Sequence, residues 1–443
     1  MINKSIITKT MTIKNKILSI TAYCGVFPYD KLITYYGKKN RSCLFKVVSE
    51  LINDKLISKN EVSIETKSPN HKVSLSTKKL KELTETNKAD VQKYLTELYK
   101  TTIPNITNKK TITKLVLRSS KKTKDLLENL YPGAYTDYIL THANALRKDM
   151  STNLRLYRTA EVMVMLDLAG VNILPYTKPN LQNKERLESS CAYRSVEVKE
   201  LTGKSVTKTA TQFHAMMFNK EHSYTIYSLG EYLMEWDSSR QCKASSLQKE
   251  LSHNLLGSDN ITYDAIVISP NPNHASKIAK GSILNSGSGA NTNKNAKTYI
   301  KADSTFDNFH YVPADLNGVA QISIMNIEHY QEDFLKAMFP NDKITILPCD
   351  ADILTRKGDK EVYILYGYDL NLTRISRLAL YASQNKGNYE VLCFSWQKPI
   401  IESISTKITP NCTLPDEAVL DFYEIDTEYI KKPKRKEQTN DEQ

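Results

Sequence analysis

The sequence predicts an α+β protein with an N-terminal winged helix-turn-helix, a restriction-endonuclease-like α/β core and a C-terminal α/β extension. Three observations carry that prediction. Three short segments with apolar residues at helical spacing precede two extended segments. A long apolar helix over Asn153–Ala169 then opens a run of short strands. Past residue 300, strand-like and helix-like segments alternate.

In the head, Ile13, Ile17, Leu18 and Ile20 share one helical face, and Gly25 ends that helix. A second helix over Tyr29–Tyr36 adds Leu32 and Ile33 to the same core, and Gly37 with Lys38, Lys39 and Asn40 makes the turn. The third helix, from about Arg41 to Leu56, buries Leu44, Val47, Val48, Leu51, Ile52 and Leu56. It leaves Asn40, Arg41, Ser42, Phe45 and Lys46 near an exposed N-terminal end, the part a recognition helix presents to DNA. Two extended segments, Ile57–Thr66 and His71–Ser76, meet at a turn containing Lys67, Ser68, Pro69 and Asn70. That order reads as helices and wing, with Lys38, Lys39, Asn40, Arg41, Ser42, Lys46 and Lys67 as the DNA-contacting set. Protein docking is the competing use of such a module.

The bulk charge points the same way. Among 443 residues, Lys+Arg number 61 and Asp+Glu 49, a formal +12 that favours an anionic partner. A Lys- and Asn-rich composition is also what an AT-rich genome encodes. Seven cysteines without a CxxC pair signal neither a zinc ribbon nor a disulfide framework, so reduced thiols and a cytoplasmic setting are expected. No apolar run is long enough for a signal peptide or a membrane span.

The spacing divides the chain into a head over 1–77, a helical extension over 78–150, the core over 151–275, a flexible Gly/Ser/Asn loop over 276–300, an extension over 301–430 and a basic disordered tail over 431–443. Leu75–Leu83 and Val116–Leu127 repeat a strand, cap and basic-helix pattern, open to duplication or chance. Arg155, Arg158 and Glu161 lie at spacings of three, read as an intrahelical ion-pair series with a phosphate contact as the alternative. Gly170 is placed at the C-cap. Strands are expected at Phe213–Asn219, Ser223–Ser228, Glu231–Trp236 and Asp264–Ser269, with a helix at Cys242–Leu256. The resulting order α-β-β-β-α-β is that of restriction-endonuclease-like cores.

Such nucleases hold a divalent metal on clustered carboxylates, with a lysine two positions beyond one of them. Here His214, Thr225 and Tyr227 stand where those acids would be wanted, and only Glu235 and Asp237, flanking Trp236, form a nearby carboxylate pair. They are the candidate catalytic residues of an Mg²⁺-dependent endonuclease or nickase; otherwise no cofactor and no metal site is expected. A relaxase would need a tyrosine nucleophile and a histidine cluster, and the eight histidines show no HxH or HxxxH grouping.

The stretches LRLYRTAEVMVMLDLAGV, KPNL, AYRSVEVKEL and YTIYSLGEYLMEW resemble uncharacterised proteins of Firmicutes conjugative elements and plasmids. The overall layout is similar to the replication-relaxation family of plasmid proteins. That resemblance covers roughly Ile13–Ser269 and implies a DNA-handling role on a mobile element, in replication, mobilisation or their regulation. Partners implied are DNA, a second copy of the chain or other proteins of the element, and no membrane. The acidic strand motif of the family is missing, so a degenerate core without cleavage is expected.

In the extension, strands are expected at Gln321–Met325, Ile344–Leu347, Glu361–Tyr366 and Glu390–Phe394, and helices at Glu328–Met338 and Leu372–Ser383. Asp350, Asp352 and Asp369 lie near strand ends, with turn and cap roles as the default reading. The run Lys431–Lys436 offers non-specific phosphate affinity.

Overall fold

A computed structural model describes residues 13–36, 41–67, 107–118, 120–130, 150–181, 185–201, 212–230, 238–257, 261–285, 304–342 and 349–425, together with Leu233, Met234, Trp236, Ile300, Ala302, Ile344 and Leu347. Helix α1 (Ile13–Cys24) and a two-residue strand β1 (Phe27–Pro28) are joined through Gly25, whose φ of 77° is cheap only without a Cβ. A 3₁₀ turn over Tyr29–Lys31 runs into α2 (Leu32–Tyr36), and α3 (Arg41–Asn53) follows. Helix α3 buries Leu44, Val48 and Leu51, spaced four and three residues apart on one face. It ends where Lys55 adopts φ 59° and the Leu56 N–H returns to the Leu51 carbonyl at 3.0 Å.

Strand β2 (Ile57–Lys67) pairs antiparallel along its whole length with β3 (Thr107–Leu117), and β1 adds to the other side of β3, giving the order β1-β3-β2. The expected second wing strand, His71–Ser76, lies outside the described residues, as does the first copy of the repeat. The sheet therefore closes on residues well beyond position 77. The second copy has the expected form: β3, the Ser120 hydroxyl accepting from Thr123 N at 3.2 Å as an N-cap, then α4 (Lys121–Leu130).

Helix α5 (Met150–Leu168) is the apolar helix of the sequence, buried over Ala160 and Val162–Leu166. Gly170, at φ 82°, closes it, with Val171 N bonded to the Leu166 carbonyl at 2.9 Å. The chain then forms β4 (Cys191–Arg194), α6 (Ser195–Leu201), β5 (Ala215–Phe218), β6 (His222–Ser228), α7 (Ser238–Leu256), β7 (Thr262–Ser269), α8 (Asn273–Asn285) and β8 (Phe309–Pro313). These strands make one sheet in the order β4-β5-β6-β7-β8: the first three are an antiparallel meander, while β7 and β8 run parallel to β6.

Helices cover both faces. Ala215, Met217, Tyr224 and Ile226 belong to the cluster that includes α5, whereas Met216, Phe218 and Tyr227 pack in a second cluster with Ala244, Leu247 and Leu251 of α7. Strands buried on both faces read as continuous apolar runs, which is why alternation is faint here.

Two expectations change. The third strand of the meander is β4, within the quoted AYRSVEV stretch; no strand is assigned to the described residues of Glu231–Trp236. The observed order is therefore α-β-α-β-β-α-β, with α6 inserted between β4 and β5, in place of the expected α-β-β-β-α-β. The expected loop also begins later, because α8 continues to Asn285.

The extension opens with α9 (Leu316–Met325), not the expected strand Gln321–Met325. Its apolar run is a buried helix whose Asp315 cap accepts from Asn317 N and Gly318 N. Next come α10 (Tyr330–Met338), β9 (Ile353–Lys357), β10 (Lys360–Tyr366), α11 (Leu372–Gln384), β11 (Asn388–Leu392), α12 (Lys398–Ile404), β12 (Thr409–Asn411) and α13 (Asp416–Phe422). No strand is assigned to the described residues of Ile344–Leu347. The second sheet has the order β12-β11-β10-β9, with a β9/β10 hairpin and otherwise parallel pairs. Its side chains divide between the same two apolar clusters as the first sheet, so the extension continues the core. Among the described residues, no helix is long and apolar enough to cross a membrane.

Candidate functional site

The residues expected to meet DNA divide into those the structure describes and those it does not. Arg41, Ser42 and Lys46 are exposed on the N-terminal half of α3. The Arg41 guanidinium stands 5.6 Å from the Phe45 ring centre, and Phe45 in turn lies 6.0 Å from Tyr29. Neither Arg41 nor Lys46 enters an ion pair among the described residues. The acids of the same helix region are already neutralised: Lys14 lies 3.6 Å from Glu50 and 3.5 Å from Asp54, and Lys122 lies 3.2 Å from Asp54. Lys59, on the exposed side of β2, sits 4.7 Å from the centre of the Tyr29 ring. Lys67 ends β2 opposite Thr107. Lys38, Lys39, Asn40, the carboxylate pair Glu235 and Asp237, and the basic tail lie outside the described residues.

Trp236, between those two carboxylates, is buried against Tyr227 and Phe309. The positions where a nuclease would want acids hold side chains committed elsewhere. His214 Nδ1 accepts from Ser228 N at 3.1 Å, the Thr225 hydroxyl donates to Gln248 Oε1 at 3.0 Å, and the Tyr227 hydroxyl donates to Gln241 Oε1 at 2.5 Å. Burial, then Arg155 and Arg158, push the His214 imidazole well below its ordinary pKa, so it is neutral. Among the described residues, no three His, Cys, Asp or Glu side chains converge as a metal-ligand set.

The expected intrahelical series on α5 is rearranged by tertiary contacts. Glu161 turns to the head, 3.0 Å from Lys31 Nζ and accepting from the Tyr35 hydroxyl at 3.0 Å. Arg155 donates to Ser195 Oγ at 3.1 Å and to the Phe213 carbonyl at 3.0 Å. The ends of β5 and β6 and the start of α6 thus gather around two arginines.

Two polar clusters escaped the sequence reading. The first joins head to core: Glu197 of α6 receives Lys178 Nζ at 3.0 Å, Arg194 Nε at 3.3 Å and the Tyr23 hydroxyl. The side chains are 3% (Lys178), 6% (Arg194) and 10% (Glu197) exposed, so water screens them little. Burial alone would raise the Glu197 carboxyl, but Lys178 and Arg194 overcome it and hold the group at about 2. Burial lowers the Lys178 ammonium by more than Glu197 raises it, because one carboxylate is shared between two cations.

The second cluster lies between the two sheets. His310 of β8 stands 3.6 Å from Asp264 and 3.5 Å from Asp369, with the Tyr330 hydroxyl donating to Asp369 at 3.0 Å. Burial opposes the charge on His310, yet the two carboxylates raise its pKa above the ordinary imidazole value. His222, 3.5 Å from Asp264, faces a cleft of about 630 Å³ lined also by Glu221, His329, Tyr330, Lys336 and Asp352. Asp352 is itself held by Arg374 at 2.6 Å and by Tyr366 N at 2.7 Å, a structural role in keeping with the default reading. Sequence spacing gave no sign of either cluster, since most of their members come from helices, strands and loops far apart in the chain.

Comparison with protein-family models, with curated proteins and with solved structures returns no match.

Proposed function

We propose that this chain is a DNA-binding protein of a mobile genetic element, acting in its replication, mobilisation or regulation. Its head is a winged helix-turn-helix and its core a nuclease-like scaffold. The observation that carries the reading is the charge arrangement on α3. Arg41 and Lys46 stand exposed and, among the described residues, without an ion-pair partner, while Glu50 and Asp54 are neutralised from neighbouring elements. An exposed helix whose acids are paired and whose cations are open presents a positive surface to phosphate. Element order and sheet order support the same reading: three helices, followed by the antiparallel β2/β3 pair to which β1 adds in the order β1-β3-β2, fit a winged helix.

The test is the salt dependence of binding to a labelled duplex. The double variant Arg41→Ala, Lys46→Ala is expected to reduce the slope of log K against log salt by about two, since each phosphate contact contributes roughly 0.9. An unchanged affinity and slope would remove α3 from the interface.

A further inference from the structure

Arg158 is the unusual member of α5. Its guanidinium makes no hydrogen bond and no ion pair among the described residues; Glu161, the acid expected to pair with it, is engaged by Lys31 and Tyr35 and reaches Arg158 only as a more distant charge. It lies against Gly230, where an added Cβ would come within 2.3 Å of Nη2, so this glycine leaves the space in which the guanidinium sits.

Three further cationic or donor groups share the neighbourhood. Arg155 is anchored by Ser195 and the Phe213 carbonyl, and its charge reaches both Lys199 and His214. Burial and then Arg155 push the Lys199 ammonium down to about 8. His214 accepts at Nδ1 from Ser228 N, which leaves the proton of the neutral ring on Nε2 as a donor. Arg155, Arg158 and Lys199 are half-buried and His214 is buried behind them, so the three cations are desolvated but keep some exposure.

Cations held together at partial burial repel one another, and a guanidinium with no acceptor forgoes its five donors. Both costs fall when a planar-fork acceptor such as a phosphate oxygen pair arrives. We propose that Arg155, Arg158, Lys199 and His214 form a phosphate-binding notch on the core, where β5 begins and β6 ends. Its ligand is a phosphate group, carried either by the DNA backbone or by a free nucleotide or phosphate ion. The DNA arm of this proposal rests on the DNA-binding reading of the head; the phosphate arm does not. The notch gathers positive charge, which favours an anionic group over a metal ion.

The experiment uses the full chain and three variants: Arg158→Gln, Arg158→Lys, and the head double variant Arg41→Ala, Lys46→Ala. Thermal unfolding is followed with inorganic phosphate against chloride at matched ionic strength, and duplex binding is followed as a function of salt. Expected is a phosphate-dependent rise in Tm that is lost in Arg158→Gln and partly kept in Arg158→Lys. The duplex salt slope should fall by about one in Arg158→Gln, with roughly tenfold weaker binding.

A phosphate effect without a change in duplex binding assigns the notch to a free phosphate or nucleotide. A loss of duplex binding in the head variant alone, with Arg158→Gln indistinguishable from wild type in both assays, overturns the notch and leaves the head reading standing. Loss in Arg158→Gln with an unaffected head variant overturns the head reading and leaves the notch. A uniform Tm change in Arg158→Gln that phosphate does not alter marks a purely structural arginine and also overturns the notch.

Discussion

Replacing Glu197 by glutamine tests how the head is fastened to the core. The substitution keeps shape and removes the one negative charge from a buried cluster that holds Lys178 and Arg194. Relative to an ordinary glutamate at 4.5, a carboxyl held at about 2 is stabilised in its ionised form by about 3 kcal/mol, at 1.36 kcal/mol per unit. Breaking a buried pair by removing one partner costs a similar amount, roughly 3–5 kcal/mol, because the cations are left uncompensated. Because the carboxyl is depressed, its contribution is complete above about 4.5 and disappears as pH falls through about 2. Urea unfolding at neutral pH should therefore give Glu197→Gln a midpoint lower by the equivalent of about 3 kcal/mol at unchanged slope. The loss should shrink towards pH 2, where the wild type is protonated as well. Adding Lys178→Met should return part of the loss, since the stranded ammonium goes with it. A single variant within about 1 kcal/mol of wild type at neutral pH would refute the view that this cluster clamps α1 to β4 and α6.

Two other expectations concern titration and reactivity. The His310 imidazolium, raised by Asp264 and Asp369, contributes stability that is complete below the ordinary imidazole value and is lost as pH rises through the raised one. Urea midpoints should accordingly decline on the alkaline side in the wild type more than in His310→Asn, and parallel pH profiles would show that His310 is not charged in the fold. Of the seven thiols, Cys43 and Cys242 are exposed, while burial pushes Cys24 to about 12 and Cys191 to about 11. An aromatic disulfide reagent at pH 8 should label the two exposed thiols quickly and the buried ones only in denaturant; fast labelling of all seven would contradict the packing described.

Local signals in the sequence were sufficient where one face of an element meets one core. Leu44, Val48 and Leu51 placed α3 and its exposed cations, and Gly170 marked the end of α5, because helical period and a left-handed glycine are properties of a few neighbouring residues. The mixed α+β class followed from the same signals. Short apolar runs defeated them. Gln321–Met325 became part of a helix, since an element buried on all sides carries no periodicity to tell helix from strand, and the strand Cys191–Arg194 went unassigned because four residues carry too little pattern.

Tertiary structure alone decided the partners. It paired Ile57–Lys67 with Thr107–Leu117 across a long stretch of chain, although His71–Ser76 is nearer in sequence. It also drew Glu161 away from its helical neighbours. Spacing of three along α5 makes Arg158 and Glu161 an ion pair in an isolated helix, worth only a few tenths of a kcal/mol. Packing the head onto that helix offers Glu161 the Lys31 ammonium and the Tyr35 hydroxyl, both 3.0 Å away and in a buried setting where such contacts are stronger. The sequence by itself thus determined where the charges are, and the fold decided which of them remain without a partner.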